Sequence, residues 1–186
     1  MAGLQAKVEA DALTVVWVDE TGLRLLPALV RTWAPRGQTP LLRTPLSRDH
    51  LSVIGAVTPT GRILTRTYPH AIRGVHVVRF LKHLLAQLKG KLLVIWDGAS
   101  IHRGQVVKAF LKTAPGQRLH LVALPAYAPE LNPAEGLWTL LKRGQLKNLF
   151  CEALWELQLE LRLALARLRH RPAAIRGCIR HAGYLL

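Results

Sequence analysis

Apolar positions along the chain follow two patterns, unbroken runs and helical spacing. "LTVVWV" (Leu13 to Val18) and "KLLVIWD" (Lys91 to Asp97) are apolar runs of strand length, rich in β-branched residues, and predict buried strands. Each run ends on an aspartate, Asp19 or Asp97, and "DETG" after the first predicts a turn. "HLSVIGAVTPTGRILTRTYPH" predicts a hairpin around "TPTG", and "RLHLVAL" a further short strand. Val77, Phe80, Leu81, Leu84, Leu85 and Leu88 recur at helical spacing, with Gly90 as a stop. "SIHRGQVVKAFLKTA" predicts a helix ending near Pro115, with Ser100 placed to cap it. "PAEGLWTLLKRGQ" and "CEALWELQLELRLALARLRH" predict two more, the second packing through Leu154, Leu157, Leu161, Leu165 and Leu168 and stopping at Pro172.

The order is strand, hairpin, helix, strand, helix, strand, helix, helix. Fully apolar strands alternating with helices imply an α/β fold with a mixed sheet covered on both faces. No internal linker stands out. A single domain is expected over 1–186, with 1–12 a short lead-in and 170–186 a basic C-terminal tail.

Composition adds a partner class to this picture. Twenty-six Lys and Arg face eleven Asp and Glu, a net charge of +15, which draws polyanions and nucleic acid above all. A basic protein without a specific partner is the plain alternative. Two cysteines make neither a disulfide framework nor a zinc cluster, so a reducing cytoplasm is the expected setting. No signal peptide and no apolar stretch of membrane-spanning length is visible.

With eleven acids, each can be weighed. Glu152, Glu156 and Glu160 recur every four residues and read as a solvated stripe. Glu9 and Asp11 lie in a polar stretch, and Asp49 precedes a strand as a turn residue. Asp19 and Asp97 differ, because a carboxylate at the end of an apolar strand is costly unless paired or neutralised. Either alone fits a turn. Together, on adjacent parallel strands, they would meet at the carboxyl edge of the sheet, where α/β active sites gather. In "LPAYAPELNPAEGLWTLLKR", Asn132 suits an N-cap, Pro133 the first helical position and Glu135 the third, close to a capping box. Glu135 fits a cap and a third carboxylate, and the two readings are compatible because the helix dipole that favours a first-turn carboxylate also suits a metal ligand. Three carboxylates without a cysteine are hard ligands for magnesium or manganese, and a metal pair of that kind acts on phosphodiesters.

"VDETG", "WDGASIH" and "YAPELNPAEGLWTLLKR", in that order, resemble the catalytic domain of DDE transposases, in the bacterial insertion sequence 630 branch, kin to the mariner superfamily. The resemblance runs from about Thr14 to about Arg169, and the Y-x-P-x-L-N-P-x-E-x-x-W frame is its specific part. It implies a ribonuclease H-like fold with a five-stranded mixed sheet and helices on both sides. It implies a triad of Asp19, Asp97 and Glu135 holding two Mg2+ or Mn2+ ions. Glu135 follows Asp97 by 38 positions (135 − 97), near the mid-thirties spacing of that superfamily. The implied activity is cleavage of transposon-end DNA with water, then transfer of the 3′ hydroxyl to a target, usually at TA. Implied partners are double-stranded DNA, a second copy on that DNA, and possible help from a separate chain, in a nucleoid-associated cytoplasmic setting.

The sequence departs from relatives at Gly98, often Asn, and at Glu130, where Asp is common. Relatives also carry a helix-turn-helix region ahead of the first strand, and only some thirteen residues precede it here. A non-catalytic DNA-binding remnant, or a structure-specific nuclease on the same fold, are therefore the competing expectations. Around the triad, Glu20, Ser100, His102, Asn132 and Trp138 are candidates for support: Glu20 through a salt bridge on the opposite side of the strand, His102 and Trp138 by packing. Lys142, Arg143 and Lys147 are candidates for a DNA backbone track on the helix leading away from Glu135.

Overall fold

The computed structural model describes residues 13–26, 28–41 and 49–184; the lead-in 1–12, with Glu9 and Asp11, lies outside them. The central strand, β1 (Thr14–Arg24), is joined on one side by an antiparallel hairpin, β2 (His50–Val57) and β3 (Ile63–Tyr68). On its other side run two parallel strands, β4 (Leu92–Trp96) and β5 (Leu119–Ala123), giving the order β3-β2-β1-β4-β5. This is the expected five-stranded mixed sheet.

Side-chain alternation along β1 divides the core. Val16 and Val18 face one way, with Leu92, Val94 and Trp96 of β4, and are covered by helix α1 (Gly74–Gln87) through Val77, Phe80, Leu81 and Leu84. The short helix α2 (Gln105–Leu111) completes that side with Val107 and Phe110. Val15 and Trp17 face the other way, with Leu93 and Ile95, under α3 (Pro133–Thr139), α4 (Leu154–Arg169) and α5 (Pro172–His181). Both layers are closed by residues spaced as the helical pattern predicts, with a buried cluster on each face of the sheet.

Four local expectations differ from the structure. "DETG" is not a turn: β1 continues through it, because β2 supplies ladder partners from Asp19↔Gly55 to Arg24↔His50. Ser100 caps no helix; it opens a single 3-10 turn, Ser100–His102, and α2 begins after Gly104. The helix after Glu135 does not run regularly to Gln145. Beyond Thr139 it widens into i→i+5 bonding, closed by Leu146 N–H to Leu141 O at 2.8 Å. Lys147 therefore lies past the helix, in a bridge to Ala28. Lastly, Pro172 follows the end of α4 and also starts α5, occupying its first position. α5 buries Ile175 and Ile179 and lies so close to α3 that a Cβ on Gly136 would come within 2.7 Å of Cys178 Cβ.

Candidate active site

The parallel pairing of β1 and β4 sets the level of both aspartates. Trp17 pairs with Ile95, and Asp19 and Asp97 each lie two residues further on. β4 ends at Trp96, so Asp97 leaves the sheet while Asp19 stays within it, beyond the point where β4 stops. Asp19 is buried and Asp97 is exposed.

Asp19 points to the α3 side, the face of Val15 and Trp17. Its Oδ2 accepts a hydrogen bond from Trp138 Nε1 at 2.8 Å. The indole reaches this place through a gap in the neighbouring strand. Gly55 is the ladder partner of Asp19, and a Cβ there would come within 2.5 Å of the Trp138 ring. Burial is the main reason the Asp19 carboxyl is pushed up to about 7; the nearby Glu135 charge adds to the rise, and the Trp138 bond opposes it.

Glu135 stands in the first turn of α3. Asn132 Oδ1 accepts from Ala134 N–H at 3.2 Å, so the asparagine caps the helix, while its Nδ2 donates to Val18 O at 3.2 Å. One buried side chain thus starts α3 and ties that start to β1 next to Asp19. The capping box is not formed: Asn132 N–H donates to Pro129 O, not to Glu135. The Glu135 side chain is exposed, and its charge acts on Asp19.

On the α1 side of the sheet, Glu20 meets His102. His102 Nε2 lies 3.0 Å from Glu20 Oε1, and Nδ1 lies 3.0 Å from Asp97 Oδ1 and 3.2 Å from Asp97 O. The ring stacks on Trp96, centroids 4.2 Å apart and planes 5° from parallel. Despite its burial, the two carboxylates hold the imidazole above its ordinary value. The donor atoms of Glu20, Asp97 and His102 all lie within 4.8 Å of one another. The structure therefore gathers Asp19 with Glu135 and Trp138, and Asp97 with Glu20 and His102.

Among the remaining candidates, Ser100 is exposed. Arg143 and Lys147 are exposed and Lys142 half-buried, near the widened turn after α3. One residue escaped the sequence reading. Gly55 makes the slot for Trp138, and a glycine within an apolar strand run was the available signal. Tyr127, which opens the Y-x-P-x-L-N-P frame in the loop from β5 to α3, is fully exposed and has φ 59, a backbone region that a bulky side chain rarely adopts.

A buried carboxyl with a second acid beside it has no cationic partner among the described residues, and hard oxygen donors suit a divalent cation. The residues present thus fit the ions that the acid pattern implies.

The chain is similar to several known proteins. The curated insertion element IS630 uncharacterized 39 kDa protein of Shigella sonnei is 25% identical over 151 residues, 80% of this chain and 43% of that protein. The chain thus spans about two fifths of that relative's length. The Mos1 mariner paired end complex with Mn superposes with a TM-score of 0.67 at 14% identity, covering 100% of this chain and 61% of that one. The Mos1 mariner transposase catalytic domain superposes at 0.62 with 13% identity, covering 100% and 91%. The fold is the ribonuclease H-like fold of that domain. Residues 14–158 match the DDE superfamily endonuclease family, a stretch that holds both aspartates and Glu135, and the chain belongs to that family.

Proposed function

We propose that the chain is a transposase catalytic domain that cleaves transposon-end DNA and joins the 3′ hydroxyl to target DNA, with TA as the target. The observation that carries this reading is Asp19: a buried carboxyl raised to about 7, beside Glu135 and level with Asp97, at the edge where β4 ends. Asp19, Asp97 and Glu135 would hold two Mg2+ or Mn2+ ions. Bound there, such ions supply an activated water or hydroxyl and stabilise the leaving oxygen at phosphorus.

The protein's own part is placement. Trp138 fixes one oxygen of Asp19, and Asn132 fixes the start of α3 so that Glu135 projects from its first turn. Lys142, Arg143 and Lys147 would contact backbone phosphates without reading sequence. Dimerisation on DNA, and a second chain that recognises the ends, belong to the same proposal.

The test is a pre-nicked duplex carrying the inverted repeats that flank the chain's gene, incubated with Mn2+ and supercoiled target. Joined products that vanish in Asp97→Asn support the reading. Cleavage without joining favours a nuclease. No activity dependent on Asp97 leaves a DNA-binding remnant.

A further inference from the structure

We propose that His102, anchored by Glu20, is a positioning residue that holds one oxygen of Asp97 so that the other is presented to a divalent ion. This rests on the reading of Asp97 as an ion ligand given above. Asp97 needs such a device. Its side chain is half exposed, it follows the last residue of β4, and Gly98 comes next. Left alone, the carboxylate would sample several rotamers, and an ion would have to order it on binding.

The structure supplies the order from one side. Ala99 N–H donates to Asp97 Oδ1 at 3.0 Å, His102 Nδ1 lies at ion-pair distance from the same oxygen (3.0 Å) while hydrogen-bonding Asp97 O at 3.2 Å, and no protein group bonds Oδ2 among the described residues. The His102 side chain is 2% exposed and stacked on Trp96, so its plane is fixed by packing. Glu20 fixes its remaining freedom through Nε2, and Glu20 is itself fixed by β1, adjacent to Asp19. The clasp thereby connects the strand bearing the first aspartate to the carboxylate of the second.

The same three side chains could be mistaken for a metal cage, since their donor atoms lie within 4.8 Å of one another. The geometry argues otherwise. Glu20 and Asp97 address different ring nitrogens, which point to opposite sides of the imidazole. An ion ligated by one nitrogen would lie on the wrong side for the other carboxylate. A histidine held between two acids in this way donates from both nitrogens, Nε2 to Glu20 Oε1 and Nδ1 to Asp97 O, and keeps Asp97 Oδ1 at ion-pair distance.

The experiment is calorimetric Mn2+ titration of the intact chain, alongside the Mn2+ dependence of cleavage on pre-nicked DNA. Wild type should bind Mn2+ and Asp97→Asn should not. His102→Ala should raise the Mn2+ half-saturation about 10–100-fold, the range for lost outer-sphere partners, with turnover at saturating Mn2+ near wild type. His102→Asn, whose amide keeps a donor near the Nδ1 position, should recover part of the loss. Glu20→Ala should weaken Mn2+ several-fold, and the double variant should be no worse than His102→Ala. If His102→Ala fails to fold by near-ultraviolet circular dichroism, Glu20→Ala carries the test. Wild-type Mn2+ affinity in a folded His102→Ala, or in Glu20→Ala where His102→Ala does not fold, overturns the clasp and leaves the metal reading intact. Absence of Asp97-dependent Mn2+ binding in wild type overturns the metal reading and the clasp together.

Discussion

Asp19 shows how a single residue couples stability to the proposed chemistry. Its carboxyl titrates at about 7 in the fold against 3.8 for a free side chain. A folded value above the unfolded one means that the native state binds the proton more tightly. The associated stability is therefore complete below about 4 and is lost as pH rises through about 7. The span corresponds to a few kcal/mol, about 1.4 per unit. Asp19→Asn should accordingly make the metal-free protein more stable at pH 8 and leave it little changed at pH 4. Wild type at pH 8 should gain stability on adding Mn2+, and the variant should not. Thermal melts at the two pH values, with and without the ion, check both statements. The scarcity of acids made Asp19 legible in the sequence. Its surroundings were not legible, because the Gly55 slot and the Trp138 bond join residues more than eighty positions apart. A sequence pattern shows that a glycine interrupts a strand, not which ring fills the space.

At the scale of elements, the start of α3 matters most, since it aims Glu135. "NPAE" made that start readable, and Asn132 caps it. The second job of Asn132, its bond to Val18 O, depends on β1 passing beside α3 and has no local signature. Asn132→Ala should cost about 1–3 kcal/mol, combining a lost cap with a lost buried hydrogen bond. Asn132→Asp, which keeps the cap acceptor, should lose the tie to β1 and add a charge beside a carboxyl that is already hard to ionise. It should therefore reduce cleavage more than its stability loss explains, as urea denaturation and the cleavage assay together would show. α5 was missed for a related reason. Ile175, Ile179 and Ala182 follow helical spacing, but Pro172 reads equally as the stop of one helix and the first residue of the next. Only the packing of α5 on α3 decides between them.

For the whole molecule, alternation of apolar runs and helical faces was enough to give a mixed sheet covered on both sides. The strand order also required knowing that β1 lies between the hairpin and the parallel pair. The net charge of +15 acts at this scale, since it is a property of the surface as a whole. DNA affinity should fall steeply with salt, with a log–log slope of about −0.9 per neutralised phosphate. Replacing Lys142, Arg143 and Lys147 with alanine should make that slope shallower by about one for each phosphate contact removed, equally on any duplex sequence. Asp97→Asn, which removes one negative charge where β4 ends, should bind DNA at least as tightly as wild type while cleaving none. Fluorescence anisotropy across a salt series separates these cases. An unchanged slope in the triple variant would place the phosphate track elsewhere on the basic surface, with the arginines of α4 and α5 the next to replace.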